Sequence, residues 1–404
     1  MRKFPEGFYW GAATSGYQVE GWGENTDWAT AARTGKVPPA GRLCDHYHLF
    51  ENDFALAKEL GHNAHRFGVE WARIEPSPGE FDYAEIEHYR QVLKSLHKNG
   101  MEPFITLWHF TLPAWFAESG GFERDDAHIL FARYAKFVIE ELGDLCTHFA
   151  TINEPNVWAA HGYLFGAWPP FKRASLLWKK LGKDDGSTHR VGAVPGFVNF
   201  LRYRQVEKKL ILAHQEAYKA IKLVAPDVQV SLVKHIHVFR SNWNPLNWLR
   251  ARVMNYLQSG RFLNAVRDYM DEYSVNYYRH TKYGDKNKYP KSDMGWDMYP
   301  EGIYYALLSL KKYSKPVYVS EAGVADEADA FRSEYIKKQV EATAKAIEEG
   351  VDVRGHMYWS LLDNYEWALG IDKKFGLIAI DYGTLARTPR PSAYVYQKLI
   401  EANS

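Results

Sequence analysis

Cysteine and long apolar runs are both scarce in this sequence. Its 404 residues include two cysteines, Cys44 and Cys146, which have no C-x-x-C spacing and are too few for a disulfide scaffold. No apolar run approaches the roughly 18 residues that a membrane-spanning helix needs. We therefore expect reduced cysteines, a cytoplasmic location and no membrane partner.

An excess of charge of either sign is also missing. Lys and Arg number 50 and Asp and Glu number 49, so the formal net charge is +1. Affinity for a nucleic-acid backbone comes from clustered basic charge, and the basic run at 202–209 is interleaved with polar side chains, as on a solvated helix face. We expect no nucleic-acid partner. The 46% of hydrophobic and 15% of aromatic residues indicate an ordinary globular protein.

A flexible linker is the third absence. The stretch with the most Gly and Pro, residues 162–200, also carries Phe165, Trp168 and Trp178, and a flexible spacer would not be so aromatic. We expect a single domain over residues 1–404. Within it, a long ordered loop at about 160–204 should follow the fourth strand and lie over a binding face.

Short β-branched or aromatic runs alternate with stretches of helical period along the whole chain. This alternation predicts βαβ units and a parallel sheet, and eight strands spread over the full length predict a (β/α)₈ barrel. An open doubly wound sheet is the competing fold, but no G-x-G-x-x-G turn follows the first strand. The predicted strands are 8–14, 64–71, 101–108, 147–153, 227–237, 273–278, 316–320 and 353–361, and the predicted helices are 49–60, 84–98, 128–142, 205–224, 301–312, 333–349 and 391–402.

Four glycines follow predicted helices directly. Gly61, Gly100, Gly143 and Gly350 are expected in the left-handed conformation that commonly ends a helix, where only glycine escapes steric strain.

Polar and aromatic residues follow most of the predicted strands. Catalytic groups of a barrel lie at the carboxyl ends of its strands, so these side chains are expected to form one ring. Burying so many polar groups without a purpose is costly, which indicates a functional site. The ring comprises Gln18, Glu20, Arg66, Glu70, His109, Asn153, Glu154, His237, Asn276, Tyr278, Glu321, Trp359, Glu366 and Trp367.

Two carboxylates in this ring suit glycosidic cleavage. Glu154 ends the fourth strand in TINEP and Glu321 ends the seventh in VYVSEAG, so they should face each other across the barrel mouth. One carboxyl can protonate the leaving oxygen while the other attacks the anomeric carbon or directs water to it. We expect Arg66 and Tyr278 to keep Glu321 ionised. Burial and the second negative charge should keep Glu154 protonated.

With these residues assembled, the chain closely resembles the retaining β-glycosidases of glycoside hydrolase family 1. Seven segments carry the resemblance in the expected order over nearly the full length. They are FPEGFYWGAATSGYQVEG (4–21), HRFGVEWARIEP (65–76), LWHFTLPAW (107–115), TINEP (151–155), NYY (276–278), VSEAG (319–323) and YWSLLDNYEW (358–367).

The resemblance implies a role for each matching residue. Glu154 is similar to the family's acid/base and Glu321 to its nucleophile, in a double displacement that needs no cofactor and no metal. Arg66, Asn276 and Tyr278 match the shell that orients the nucleophile and the 2-hydroxyl. Trp359 resembles the platform beneath the sugar ring. The hydroxyl contacts in the −1 subsite are implied for Gln18, His109, Asn153, Glu366 and Trp367.

Glu366 also bears on the substrate. Relatives that act on 6-phosphorylated sugars have a phosphate pocket in this region, and a carboxylate there would repel a phosphate. The resemblance therefore implies unphosphorylated β-D-glucosides, with β-galactosides and β-fucosides tolerated, as small glycosides or β-oligosaccharides. The sequence departs from the family's usual Thr-Glu-Asn-Gly at Ser320-Glu321-Ala322-Gly323, and its shorter length implies trimmed loops at the aglycone end.

Two other functions are compatible with the fold. His235 and His237 have a spacing that two zinc ligands on one strand face would need, which suggests a metal-dependent amidohydrolase. A catalytically dead sugar-binding barrel is the second alternative, although both carboxylates are present. A retaining enzyme predicts carboxyl groups about 5 Å apart, whereas about 9 Å would indicate inversion.

Overall fold

Eight parallel strands form a closed barrel in the computed structural model, which describes residues 4–172, 197–285 and 289–403. The barrel closes where the first strand, β1, pairs with the last barrel strand, β10. In the described residues the strands are β1 Tyr9–Ala13, β2 Ala64–Gly68, β3 Glu102–Trp108, β4 His148–Asn153, β5 Gln229–His235, β6 Val238–Ser241, β7 Tyr273–Tyr277, β8 His280–Tyr283, β9 Val317–Ala322, β10 Val353–Trp359, β11 Ile378–Ile380 and β12 Arg387–Pro389.

Neighbouring strands round the barrel follow the order β1-β10-β9-β7-β5-β4-β3-β2. Two small two-stranded sheets, β6 with β8 and β11 with β12, lie outside it. The described helices are α1 Gly16–Val19, α2 Asp27–Arg33, α3 His46–Glu59, α4 Trp71–Ile74, α5 Tyr83–Lys98, α6 Ala114–Glu118, α7 Ala127–Leu142, α8 Pro155–Ala159, α9 Phe197–Val224, α10 Pro245–Asn255, α11 Arg261–Val266, α12 Gly302–Leu308, α13 Arg332–Glu348 and α14 Pro391–Glu401.

The alternation of side chains along each strand produces the barrel core. In β9, Val317 and Val319 are buried in the large apolar cluster that includes residues of the surrounding helices. Tyr318 between them belongs to the smaller cluster that includes Phe104. The Phe104 ring stacks on His148 at 4.3 Å between centroids and lies 5.2 Å from the Tyr318 ring. Buried on both faces, such strands contain few polar residues until they reach the carboxyl end.

The fold predicted from the sequence, a single-domain (β/α)₈ barrel, is confirmed. Each of the eight predicted barrel strands is present, with ends displaced by a few residues. The predicted strand 227–237 ends at His235, so that His237 lies beyond it. Cys44 and Cys146 are both buried and unpaired.

One of the four glycine predictions is wrong. Gly61, Gly100 and Gly350 have positive φ angles of 79°, 68° and 85°. Gly143 instead has φ −68° at the end of α7. Its lack of a side chain has a different cause, since a Cβ there would lie 2.5 Å from the carbonyl oxygen of Ile139.

The long loop predicted at about 160–204 lies largely outside the described residues, which omit 173–196. At its two ends the described chain is helical, over Ala160–Phe165 and from Phe197 onward. Among the helices of the described ranges, none has the length and apolarity that crossing a membrane requires.

Candidate active site

A cavity of about 800 Å³ opens at the carboxyl ends of the barrel strands. Nine of the eleven predicted site residues line it, and the other two, Arg66 and Asn276, are buried behind its wall. The nine are Gln18, His109, Asn153, Glu154, Tyr278, Glu321, Trp359, Glu366 and Trp367.

Glu154 lies between the last residue of β4 and the first residue of α8. Its φ of 41° is in the left-handed region, which a non-glycine residue enters at a steric cost. The side chain is buried, and the Asn276 amide donates to its Oε1 at 2.7 Å. Burial, reinforced by the negative charge of Glu321, raises the pKa of Glu154 to about 8. This carboxyl therefore keeps its proton at neutral pH.

Glu321, near the end of β9, has a different set of partners. The Arg66 guanidinium donates to its Oε1 at 2.5 Å, and the Tyr278 hydroxyl donates to its Oε2 at 2.7 Å. Both oxygens thus accept from donors, one of them a buried cation. Charge and hydrogen bonding of this kind favour the ionised carboxylate.

A hydrogen-bonded chain joins the two carboxyl groups. The Ser320 hydroxyl donates to Asn276 Oδ1 at 2.8 Å, which directs the Asn276 amide nitrogen toward Glu154. Asn153 Oδ1 accepts from Arg66 at 2.9 Å and from Asn276 at 3.3 Å. The residues that hold one carboxyl are therefore fixed by the residues that hold the other.

Asn276 hydrogen-bonds a different carboxyl from the two residues with which the sequence prediction grouped it. The resemblance placed Arg66, Asn276 and Tyr278 in the shell that orients the nucleophile and the 2-hydroxyl, and Arg66 and Tyr278 donate to Glu321. The Asn276 amide reaches Glu154 instead, because the Ser320 hydroxyl holds its oxygen on the side of β9.

The opposite end of the cavity carries Gln18, Glu366 and three aromatic rings. The Gln18 amide donates to the carbonyl of Tyr365 at 2.7 Å, which joins α1 to the segment after β10. Burial raises the pKa of Glu366 to about 8. The rings of Trp359 and Trp367 lie 5.8 Å and 6.0 Å from the His109 ring, both in stacked orientation. This end combines flat apolar faces with polar groups.

Besides Arg66 and Asn276, three members of the predicted ring do not line the cavity. Glu20 accepts from Arg73 and Tyr89, because the chain after β1 forms helix α1 and turns Glu20 away from Gln18. Glu70 caps α4 and accepts from Thr111. The ring of His237, which directly precedes β6, forms a hydrogen bond with the hydroxyl of Thr281 in the small sheet outside the barrel. His235 lines the cavity instead of His237.

The sequence model of glycosyl hydrolase family 1 matches residues 1–246 and 251–404. The chain belongs to this family. Both the family and the class of enzyme predicted from the sequence, a β-glycosidase, are thereby confirmed, and nothing favours the amidohydrolase or the sugar-binding alternative.

Relatives of this family 1 chain align with it from end to end. The protein named Beta-glucosidase A of Thermotoga maritima is 29% identical over 465 residues, covering 100% of this chain and 99% of its own. A protein named Beta-galactosidase of Pyrococcus woesei is 30% identical over 514 residues and covers 99% of this chain and 97% of its own. The solved β-glycosidase from Pyrococcus horikoshii has a TM-score of 0.87 at 34% identity, with 100% of this chain and 96% of that chain covered.

The family's usual glycine after the seventh barrel strand, which is β9 here, is retained for a steric reason. A Cβ at Gly323 would lie 2.0 Å from the carbonyl oxygen of Trp359. The segment after Glu321 therefore runs directly against the end of β10, even though Ala322 stands where the family usually has Asn.

Two buried residues next to the carboxyl groups were missed in the sequence. Ser320 precedes Glu321 and orients Asn276, and a serine in a strand gives no local sign of such a contact. Lys234, in β5, donates to the carbonyls of His235 and Gln258 at 3.0 Å and 2.9 Å. Burial lowers the pKa of Lys234 to about 7. A lysine inside a strand, between Val233 and His235, was the available signal.

The far wall of the cavity was predicted only in part. It is built by the end of β5 and by segments that follow β4, β7 and β8. The sequence analysis singled out His235, as one of two possible zinc ligands, and placed a loop from about residue 160 over a binding face. Its residues are Val157, His161, His235, Arg279, Met294 and Trp296.

Proposed function

We propose that this protein hydrolyses terminal, non-reducing β-D-glucosyl residues with retention of configuration, and that it also accepts β-galactosyl and β-fucosyl residues. One observation carries the proposal. Two buried glutamates face one cavity in different surroundings, Glu321 with a cation and a phenol, and Glu154 with one neutral amide. Retaining glycosidases need this division between an ionised and a protonated carboxyl group.

In the first step, Glu321 attacks the anomeric carbon and Glu154 protonates the leaving oxygen. The donors on both oxygens of Glu321 hold it ionised and oriented. Asn276 occupies Oε1 of Glu154, so the proton to be transferred resides on Oε2. The products are a glycosyl ester of Glu321 and the free aglycone.

In the second step, water replaces the aglycone. Glu154, now ionised, removes a proton from the water, which attacks the anomeric carbon and breaks the ester to Glu321. The proton returns to Glu154 and the nucleophile leaves as a carboxylate. Two inversions at one carbon give net retention, which requires the two carboxyl groups to be about 5 Å apart.

The sugar ring lies against Trp359 in this proposal. Its hydroxyl groups contact Gln18, His109, Asn153, Glu366 and Trp367, all of which line the cavity. Burial keeps the pKa of His109 well below its usual range, so this ring is neutral and able to hydrogen-bond a hydroxyl group. Glu366 adds a carboxyl where a phosphorylated sugar would need a cation, which supports unphosphorylated substrates.

We further propose a cytoplasmic protein whose residues 1–404 form one domain. Two unpaired, buried cysteines support a reducing compartment.

Hydrolysis of p-nitrophenyl β-D-glucoside by the wild type, Glu154→Ala and Glu321→Ala tests the reaction and both roles. We expect wild-type turnover, a loss of about 10²–10⁴-fold without the acid/base, and a loss of at least about four orders of magnitude without the nucleophile. Azide should restore activity to both variants and give the β-azide with Glu154→Ala but the α-azide with Glu321→Ala.

Glu20→Ala is the matched control, since Glu20 is a buried glutamate of the barrel mouth that does not line the cavity. A wild type that binds glucose without turnover, or an inverted product seen by NMR at early times, would contradict the proposal.

A further inference from the structure

Arg279 occupies the far wall of the cavity, next to the residue that contacts Glu321. It follows Tyr278 directly and is half-buried. Its guanidinium carbon lies 5.3 Å from the centroid of the Trp296 ring. The strands that carry this wall, β5 and β7, lie across the barrel from β1, which leads to Gln18. Arg279 therefore faces the aglycone end of a glycoside whose sugar is held near Gln18.

The guanidinium of Arg279 lacks the partners that its neighbours have. Arg66 pairs with Glu321 and Arg390 pairs with Asp363. Within the described ranges, no hydrogen bond or ion pair is found for the Arg279 side chain, whose charge is affected by burial and by Asp297. Asp297 Oδ1 is already 2.5 Å from the Lys291 ammonium. A half-buried cation without an anionic partner is costly in the empty site.

The other charged groups of the cavity do not oppose an anion at this wall. Burial raises the pKa of both Glu154 and Glu366 to about 8, so both are mainly neutral near pH 6. The third carboxyl group, Glu321, already has the Arg66 guanidinium against it.

A second polar group faces the same wall. His235 lines the cavity beside Tyr278, with 6.3 Å between the ring centroids. Its Nδ1 is buried and has no hydrogen-bond partner in the part of the chain that the structure describes. Arg279 and His235 thus line the same end of the cavity, and neither the guanidinium nor His235 Nδ1 has a hydrogen-bond partner within the described ranges.

We propose that Arg279 binds an anionic group, a carboxylate or a phosphate, on the aglycone of the β-glycoside. The planar guanidinium matches such groups with two parallel hydrogen bonds, and its position over the Trp296 ring adds a cation–π contact. This inference rests on the proposed function, because it requires the sugar to be bound at the Gln18 end of the cavity with its anomeric carbon at Glu154 and Glu321.

A matched pair of substrates tests the inference. 4-Carboxyphenyl β-D-glucoside and its methyl ester differ by one negative charge at the aglycone. Their kcat/KM values are measured for the wild type, Arg279→Gln and Arg354→Gln. The last is the control, because it removes an exposed arginine that pairs with Asp352 at the other end of β10. Dividing the carboxylate-to-ester ratio of a variant by that of the wild type cancels the difference in leaving-group reactivity.

We expect Arg279→Gln to lower this ratio at least about ten-fold, mainly through KM, because a charge-assisted hydrogen bond is lost. Arg354→Gln should leave the ratio unchanged. The wild-type preference for the carboxylate should also weaken as salt rises, and that dependence should vanish in Arg279→Gln. An equal loss for both substrates would overturn the inference, since it would indicate a structural role. An unchanged ratio would overturn it as well.

The source of the anion is distinguished by inhibition. Benzoate and phenyl phosphate are compared as competitive inhibitors of the release of glucose from the methyl-ester substrate. The compound whose inhibition constant rises more in Arg279→Gln identifies the preferred anionic group. Inhibition unaffected by the substitution for both compounds would count against the inference. A wild type that hydrolyses neither glucoside would instead refute the proposed function.

Discussion

Glu154 and Glu321 are the same side chain, and their neighbours make them chemically different. Glu321 accepts from Arg66 and Tyr278, whereas Glu154 accepts from the neutral amide of Asn276 and is otherwise governed by burial. The sequence predicted both glutamates and this division, because the residue types occur at strand ends. It did not predict that Asn276 contacts Glu154, because the direction of that amide depends on a hydroxyl from another strand.

Replacing Asn276 with Ala should move the alkaline limb of the activity profile. The Asn276 amide stabilises the ionised form of Glu154 by hydrogen bonding, so its loss raises the pKa of Glu154 further above its present value of about 8. Glu154 then remains protonated to higher pH, and the alkaline limb of the kcat/KM profile moves to higher pH. The rate at the optimum should fall roughly ten-fold, as for the loss of one buried hydrogen bond.

The measurement is the pH dependence of kcat/KM with p-nitrophenyl β-D-glucoside. Ser320→Ala should give a smaller shift in the same direction, because Asn276 loses its orienting donor. Asn99→Ala, at the end of α5, is the control. A limb that stays in place or moves to lower pH in Asn276→Ala would show that the amide does not act on Glu154.

At the scale of elements, the carboxyl-terminal helix holds part of the cavity in position. The segment after β10 carries Asp363 and Glu366, and Arg390 directly precedes α14. Arg390 donates to both oxygens of Asp363 at 3.0 Å and 2.8 Å and to the carbonyl of Gly376 at 2.9 Å. The helix was predicted within one residue from its period, but this ion pair joins distant positions and leaves no pattern in the sequence.

Asp363→Ala should lower the free energy of unfolding by about 3–5 kcal/mol, because it leaves the buried Arg390 without its partner. Activity should fall as well, since the segment that carries Glu366 loses its attachment to α14. Denaturant-induced unfolding followed by circular dichroism measures the first effect. Asp352→Ala, which breaks an exposed pair with Arg354, should cost less than about 1 kcal/mol. Equal losses in the two variants would rule out an anchoring role.

At the scale of the whole molecule, several histidines are folded into the protein in their neutral form. Burial lowers the pKa of His62, His214 and His356 to about 4. Between pH 6.5 and 4, the unfolded chain binds a proton at each of these sites while the folded chain does not. Each site therefore contributes stability that is complete above pH 6.5 and lost as the pH falls toward 4.

His62→Phe should reduce this acid sensitivity. Both ring nitrogens of His62 are buried without a hydrogen-bond partner in the described part of the chain, so a phenyl ring removes the titration and keeps the contact with Tyr396. The melting temperature of the variant relative to the wild type should rise as the pH is lowered from 7 to 4.5. His48→Gln alters a histidine whose side chain is 64% exposed and should give no such trend. If the difference in melting temperature between His62→Phe and the wild type were the same at every pH, His62 would not contribute to the acid sensitivity.

The whole fold was more predictable than its cavity. The eight strands follow from β-branched or aromatic runs that alternate with stretches of helical period, and the hypothesis of a glycosidase site follows from glutamates at strand ends. The wall with Arg279 and Trp296 was not predicted, because it depends on how the segments after β7 and β8 lie against each other. Gln18 and Glu20 were taken for strand-end neighbours, but Gln18 lies within the short helix α1 and Glu20 directly follows it, so the two side chains have different partners.

The pairing of β1 with β10 has a consequence for the synthesis of the chain. A ribosome synthesises β10 long after β1, because the six other barrel strands lie between them in the chain. At about 5–20 residues per second, β1 waits for its neighbour on the order of tens of seconds. A nascent chain that contains Glu154 and Glu321 but not yet β10 still lacks Trp359 and Glu366 and cannot close the barrel. We therefore expect messages truncated before β10 to yield inactive protein.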